Sequence, residues 1–333
     1  MRNMAQAPAE ALDVKDRKIL YELDRNARQS FSEMGKRVGM SKEVVAYRVG
    51  RLLEKGVVKG FYAVLDLSKL GYASYRAYFR LPGASPAEEA AMLAELAGRK
   101  DVWWLCSFNG EWDVALGSWA RSSYEFERTW HDILSKYRGK IADEKISIHQ
   151  QIHQFSRAYL LGKEKAGATE IVTGGEERAE CDELDFRILR AIAGNARAST
   201  VELAKKTGTA PTVVAYRLKK LEEKKVLRGY RAMLDLAKLG VLWYKLAFKL
   251  NSFERHQEMM KWARAHPAVT WAFDSLGGWD VELEVEAHSV AEVRAVLNEF
   301  RAAFSKDIRS LDYFEIYKEH KIVYMPAKAG QII

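Results

Sequence analysis

The 333-residue chain has only two cysteines, Cys106 and Cys181, which stand far apart without CxxC spacing. Their scarcity excludes a disulfide framework and a thiolate zinc site, and it fits a reducing compartment. No run of about 18 apolar residues occurs, so no segment reads as a bilayer span. Met1 to Ala11 holds one arginine and no apolar stretch, and reads as a frayed tail rather than a signal peptide, so a cytoplasmic location is expected. There is no Walker loop, GxSxG or HExxH, and no catalytic residue, cofactor or metal site is expected. His149 and His153 are four apart in a probable strand with no third ligand near, and read as surface residues.

What is present is a globular balance, 48% hydrophobic and 29% charged, with an uneven charge distribution. Residues 13–60 carry 12 basic and 7 acidic side chains and residues 182–229 carry 11 and 6, so each segment is +5 within a chain of net +8. A concentrated positive field attracts a polyanion. These two segments are copies. A shift of 169 lays Val44-Val45-Ala46-Tyr47-Arg48 on Val213-Val214-Ala215-Tyr216-Arg217, and a shift of 167 lays Gly110-Glu111-Trp112-Asp113 on Gly277-Gly278-Trp279-Asp280. Each copy is long enough to hold its own core, unlike a short solenoid repeat.

Each unit opens with helical patterning. Ser30 with Glu33, and Ser199 with Glu202, have capping-box spacing. The turns Gly39-Met40-Ser41 and Gly208-Thr209-Ala210 then lead into a third helix, which makes a helix-turn-helix. Val45, Val49 and Leu52 mark that helix's inner stripe. Ser41, Lys42, Glu43, Ala46, Tyr47, Arg48 and Arg51 are then the candidate contacts to double-stranded DNA, with Pro211, Thr212, Ala215, Tyr216, Arg217, Lys219 and Lys220 in the second copy. Arg48, Arg51, Lys55 and Lys59 are placed to neutralise phosphates.

The remainder of each unit reads strand, helix, strand, strand, helix, strand, which is a ferredoxin-like α+β sandwich. Tyr75, Ala77, Phe79 and Leu81 alternate with Arg76 and Arg80, and Asn109-Gly110 marks a hairpin. The chain divides into a disordered tail (1–12), a winged-helix-like domain (13–62), an α/β domain (63–161), a linker (162–180), a second helix-turn-helix (181–231) and a second α/β domain (232–326).

With Asp16 to Leu20, the Ser41 to Leu52 helix, the Glu54-Lys55-Gly56-Val57-Val58-Lys59-Gly60 exit and the Gly-x-Trp-Asp turns, the sequence resembles the Lrp/AsnC family of transcriptional regulators over nearly all of both units. The resemblance implies a RAM-type sensor domain that dimerises through its sheet and binds an amino acid or similar effector. Carried over residue by residue, the effector turn falls on Gly110, Trp112 and Asp113, and on Gly277, Trp279 and Asp280. Backbone amides around a glycine suit a carboxylate and the aspartate suits an ammonium group, while a tight hairpin with core tryptophans explains the same residues without a ligand.

Two units in one chain suggest that the sensor domains pair with each other as an intramolecular pseudo-dimer, and they put the family's octamer in doubt. The expected contact opposes Arg76 and Arg80 to the acidic row Asp280, Glu282, Glu284 and Glu286, with Lys245 and Lys249 neutralising part of it. Two other functions fit the same plan: an enzyme similar to the siroheme decarboxylases, and an architectural protein that coats DNA without a ligand.

Overall fold

A computed structural model describes residues 10–162 and 170–326. The first unit runs α1 (Val14–Arg25), α2 (Phe31–Val38), α3 (Lys42–Glu54), β1 (Val58–Leu65), β2 (Ala73–Arg80), α4 (Pro86–Gly98), β3 (Val102–Asn109), β4 (Val114–Ala120), α5 (Ser123–Tyr137), β5 (Asp143–Phe155) and β6 (Glu170–Gly174). The second follows with α6 (Glu183–Ala193), α7 (Thr200–Thr207), α8 (Pro211–Glu223), β7 (Leu227–Leu234) and β8 (Leu242–Leu250). It ends with α9 (His256–Ala265), β9 (Val269–Leu276), β10 (Val281–Ala287), α10 (Val290–Phe304) and β11 (Ile308–Ile322).

Local chemistry sets the helix ends. Capping boxes close at Ser30 and Ser199, each side chain accepting the N–H three residues on. Gly39 and Gly208 end α2 and α7 with φ of 69° and 67°, a left-handed conformation that glycine takes at little cost. Ser41 caps α3, whereas α8 has Pro211 in its first turn and no side-chain cap.

The two α/β halves close on each other. Each has the strand order expected of a ferredoxin-like sheet, β5-β2-β4-β3 and β11-β8-β10-β9. β3 pairs with β11 and β9 pairs with β5, both antiparallel, so eight strands form a closed barrel with no free edge between the halves. The sheets therefore join edge to edge. Their polar faces, expected to meet as flat surfaces, line the barrel interior instead. The outer face of each sheet keeps its own core under two helices, Tyr75, Ala77 and Phe79 in one half and Val281, Leu283 and Val285 in the other. A third cluster inside the barrel takes side chains from both halves, among them Tyr78, Phe108, Trp112, Trp279 and Phe314.

The expected opposition of Arg76 and Arg80 to the glutamates is not what joins the halves. Glu282 accepts from Tyr78 Oη and Ser147 Oγ of the first unit, each at 3.1 Å, and from Lys245 of its own unit at 2.7 Å. Glu286 is held by Arg157 at 2.8 Å. Within the segment expected as a linker, Glu170–Gly174 forms β6 on the part of β5 that β2 leaves unpaired. Residues 1–9 of the expected tail and 163–169 of the linker lie outside the described residues. Glu10 is tied down: its N–H donates to the Lys238 carbonyl and its carboxylate meets Lys55.

Candidate nucleic-acid interface

The third helices bury one stripe each, Val45, Val49 and Leu52 in α3 and Val214, Leu218 and Leu221 in α8. The opposite face is open. Ser41, Lys42, Glu43 and Tyr47 are exposed and Ala46 and Arg51 half-buried; in α8, Pro211, Thr212, Ala215, Tyr216, Lys219 and Lys220 are exposed. Tyr47 and Tyr216 present 70% and 59% of their surface on that face.

Arg48 and Arg217 are placed differently. Arg48 Nη1 lies 2.8 Å from both Asp13 and Asp16 at the start of α1, and Arg51 joins Asp16 at 2.7 Å. Arg217 repeats the clamp with Asp182 at 2.7 Å and Asp185 at 3.3 Å. The Asp16 N–H and Arg48 hold the Asp13 carboxyl below the usual carboxylate range. These arginines fix the third helix to the first; sequence reasoning gave them to phosphates because the acidic partners lie about thirty residues away.

The two helix-turn-helix units form one body. β1 and β7 pair antiparallel into a two-stranded ribbon whose register sets Tyr62 opposite Arg231, and these are each other's counterparts under the 169-residue shift. A pseudo-two-fold axis thus passes through the ribbon. Around it the contacts come in matched pairs: Ala27 N donates to Tyr230 O at 2.8 Å and Ala196 N to Phe61 O at 3.0 Å. Arg28 Nη1 donates to the Ala196 and Ala198 carbonyls, and Arg197 Nη1 to those of Ala27 and Gln29. A single apolar core runs through both units, from Ile19 and Leu20 to Ile188 and Leu189. A buried network ties this body to the barrel. Asp24 of α1 pairs with Arg231 and Arg157, each at 2.7 Å, and Arg157 pairs with Glu286 of β10.

At the Gly-x-Trp-Asp turns the geometry favours the tight-hairpin reading. Trp112 and Trp279 are both 1% exposed and meet edge to face at 6.4 Å in the barrel. Asp113 accepts the Leu81 N–H at 2.6 Å and Asp280 the Leu250 N–H at 2.8 Å, so each carboxylate ties its hairpin to the neighbouring strand. Gly110 and Gly277 have φ of 146° and 100°, and a Cβ there would come within 2.7 Å of Phe314 and 2.8 Å of the Ile146 carbonyl. Cys106 is buried and Cys181 half-buried. His149 is buried as well, and burial pushes its pKa down to about 4.

Two winged helix-turn-helix units on a shared ribbon, carried by an α/β barrel, define a DNA-binding regulator. The profile of the AsnC-type helix-turn-helix domain matches residues 12–53, and that of winged helix-turn-helix DNA-binding matches residues 182–228. The chain belongs to the Lrp/AsnC family of transcriptional regulators, with two units in tandem. It is 35% identical over 121 residues to the proline dehydrogenase transcriptional activator of Rhodobacter capsulatus, covering 35% of this chain and 79% of that one. With the regulatory protein AsnC of Haemophilus influenzae it shares 28% over 117 residues, 35% of this chain and 78% of the relative. One unit of this chain thus accounts for most of a relative. In fold, the whole chain is similar to the siroheme decarboxylase NirDL, with a TM-score of 0.63 over 95% of this chain and 96% of that one at 13% identity.

Proposed function

We propose that the protein is a sequence-specific transcriptional regulator in which one chain reads both halves of its operator. The observation that carries this is the shared β1/β7 ribbon, which holds α3 and α8 in one pseudo-two-fold body before DNA arrives. In the family's single-unit members that role falls to a second subunit.

The exposed N-terminal parts of the helices, Ser41, Lys42, Glu43, Ala46 and Tyr47 against Pro211, Thr212, Ala215 and Tyr216, face base edges. Lys219 and Lys220 meet phosphates, and Arg48, Arg51 and Arg217 position the helices. Because Lys42-Glu43 stands where the second copy has Pro211-Thr212, the two half-sites differ in sequence. Regulation by an amino acid or similar small effector belongs to the same reading and rests on the family relation alone.

Genome-wide mapping of bound sites tests the reading. Recovered sites should share an imperfect inverted repeat; even coverage without a common sequence would indicate an architectural protein instead. The likeness in fold to NirDL over nearly the whole chain supports a second reading, an enzyme of that plan. A tetrapyrrole absorbance band on purification would favour it over regulation.

A further inference from the structure

The barrel interior is charged, and one of its cations has nitrogens that make no hydrogen bond among the described residues. Arg76 of β2 is 4% exposed, and its Nε and Nη1 have no hydrogen-bond partner among the described residues. Its guanidinium lies 3.6 Å above the Trp104 ring centre and 5.0 Å from that of Trp103. The neighbouring charges are engaged. Lys245 holds Glu282 and Glu284, Arg157 holds Glu286, and Glu319 accepts from Trp104 Nε1. The buried Glu319 carboxylate feels the Arg76 charge but forms no ion pair with it. A buried guanidinium without a directly paired carboxylate is costly, and stacking on an indole returns only part of that cost.

The duplication supplies an internal control. Under the 169-residue shift Arg76 corresponds to Lys245, and the strand registers agree, with Arg76 opposite Gly117 and Lys245 opposite Glu284. Under the 167-residue shift Glu282 and Glu284 correspond to Ala115 and Gly117. One half of the barrel therefore keeps a cation with its carboxylates. The other has a cation and only small residues at the carboxylate positions, and a Cβ at Gly117 would come within 2.8 Å of the Trp103 ring.

Arg76 lines a cavity of 1540 Å³ that runs from the barrel interior past β11 to the wing ribbon, with Trp243, Trp271 and Phe273 also on its walls. That volume exceeds the roughly 300–1,000 Å³ of ordinary small-molecule sites. We infer that this cavity binds an organic anion with a planar apolar body, its carboxylate received by Arg76. With one guanidinium face on Trp104, the N–H groups of the guanidinium rim remain to give the carboxylate a charge-assisted hydrogen bond. The indoles and Phe273 supply flat apolar walls for the remainder of the ligand. Trp112, Asp113, Trp279 and Asp280 are not among the residues that line the cavity, although Asn109 beside the first turn is.

Naphthalene-1-carboxylate is a suitable probe, titrated into the full chain by tryptophan fluorescence and calorimetry in the absence of DNA. One equivalent should bind per chain, and naphthalene-1-carboxamide, of the same shape without the charge, should bind roughly tenfold more weakly or worse. Arg76→Met should reduce the carboxylate's affinity to that of the carboxamide. Equal binding of the two probes to the unaltered chain overturns the inference whatever the variant does, and so does an absence of carboxylate binding up to about 1 mM.

Discussion

Arg28 and Arg197 cross the pseudo-two-fold axis in opposite directions, each giving Nη1 to two backbone carbonyls of the other unit's first turn. Both also lie over aromatic rings, Arg28 over Tyr230 and Arg197 over Phe31. They lock two DNA-binding units into one. Hydrogen bonds from a charged donor contribute about 1.5–3 kcal/mol each, so Arg28→Ala or Arg197→Ala should lower stability by an amount of that order in urea unfolding. The double variant should fall short of the sum, because either loss already loosens the same seam. Full additivity would mean that the two contacts are independent.

Lys42 and Arg48, six residues apart on α3, should behave differently toward DNA. Lys42 is exposed, and under the proposed reading it reaches the DNA directly, so Lys42→Ala should reduce the slope of log K against log salt by about 0.9 if it neutralises one phosphate. Arg48 is clamped to Asp13 and Asp16, so Arg48→Ala should weaken binding while lowering the unfolding midpoint and changing the slope less. A large slope change with unaltered stability would return Arg48 to the phosphate contacts.

Lys245 and Glu282 are both fully buried at 2.7 Å. Lys245→Met leaves an uncompensated charge in the barrel and should cost about 3–5 kcal/mol. Adding Glu282→Leu should recover part of this, and a double variant worse than the single would show that Tyr78 and Ser147 need the carboxylate more than the lysine does.

The β5/β9 seam carries a pH dependence. His153 and His256 approach Asp274 at 3.6 and 2.9 Å, and His153 Nδ1 lies 2.9 Å from Glu170, which Arg264 also joins. Burial lowers the His153 pKa but Asp274 and Glu170 outweigh it, and Asp274 raises that of His256. Asp274 is drawn down to about 2 by the two imidazoles against its own burial. Because the folded chain holds the histidine protons more tightly, their stabilisation is complete below the ordinary histidine value of about 6.5 and is lost as pH rises through the raised values. The aspartate's share is present above its ordinary value of about 3.9 and is lost only as pH falls toward its lowered one. The seam should therefore contribute less stability in mildly alkaline than in mildly acidic buffer. Buried His149 acts with the opposite sign, its lowered value costing stability as pH falls below about 6.5. The seam is therefore read as the difference between the unaltered chain and a variant without its histidines in urea unfolding. His153→Gln together with His256→Gln should remove the seam's contribution; an unchanged profile would place the titration elsewhere.

Signals confined to a few residues were legible in the sequence. The capping boxes at Ser30 and Ser199, the glycine turns and the alternation of Tyr75, Ala77 and Phe79 each depend on neighbours, and all are found in the fold. Partners far along the chain were not legible. Arg28 and Arg197 are matched positions of the two basic copies, and nothing in the sequence showed their acceptors, which lie 168 to 170 residues away. Alternation also says which face a strand presents and nothing about its edges, so barrel closure through β3/β11 and β5/β9 was invisible. Glu170–Gly174 holds the β-branched run Ile171-Val172-Thr173, but it is short, lies within a polar stretch read as a linker, and is ordered by the spare edge of β5. For Arg76, the clue was present in the duplication: Ala115 and Gly117 stand where the other copy has glutamates.

Hydroxyl-radical footprinting of the full chain at one chain per DNA duplex tests the paired reading most directly. The shared ribbon requires protection of two half-sites in inverted orientation, about 10 base pairs apart centre to centre or a multiple of that, with both signals rising at the same protein concentration. Protection of a single half-site at that stoichiometry, or of the second only after a further chain binds, would contradict it.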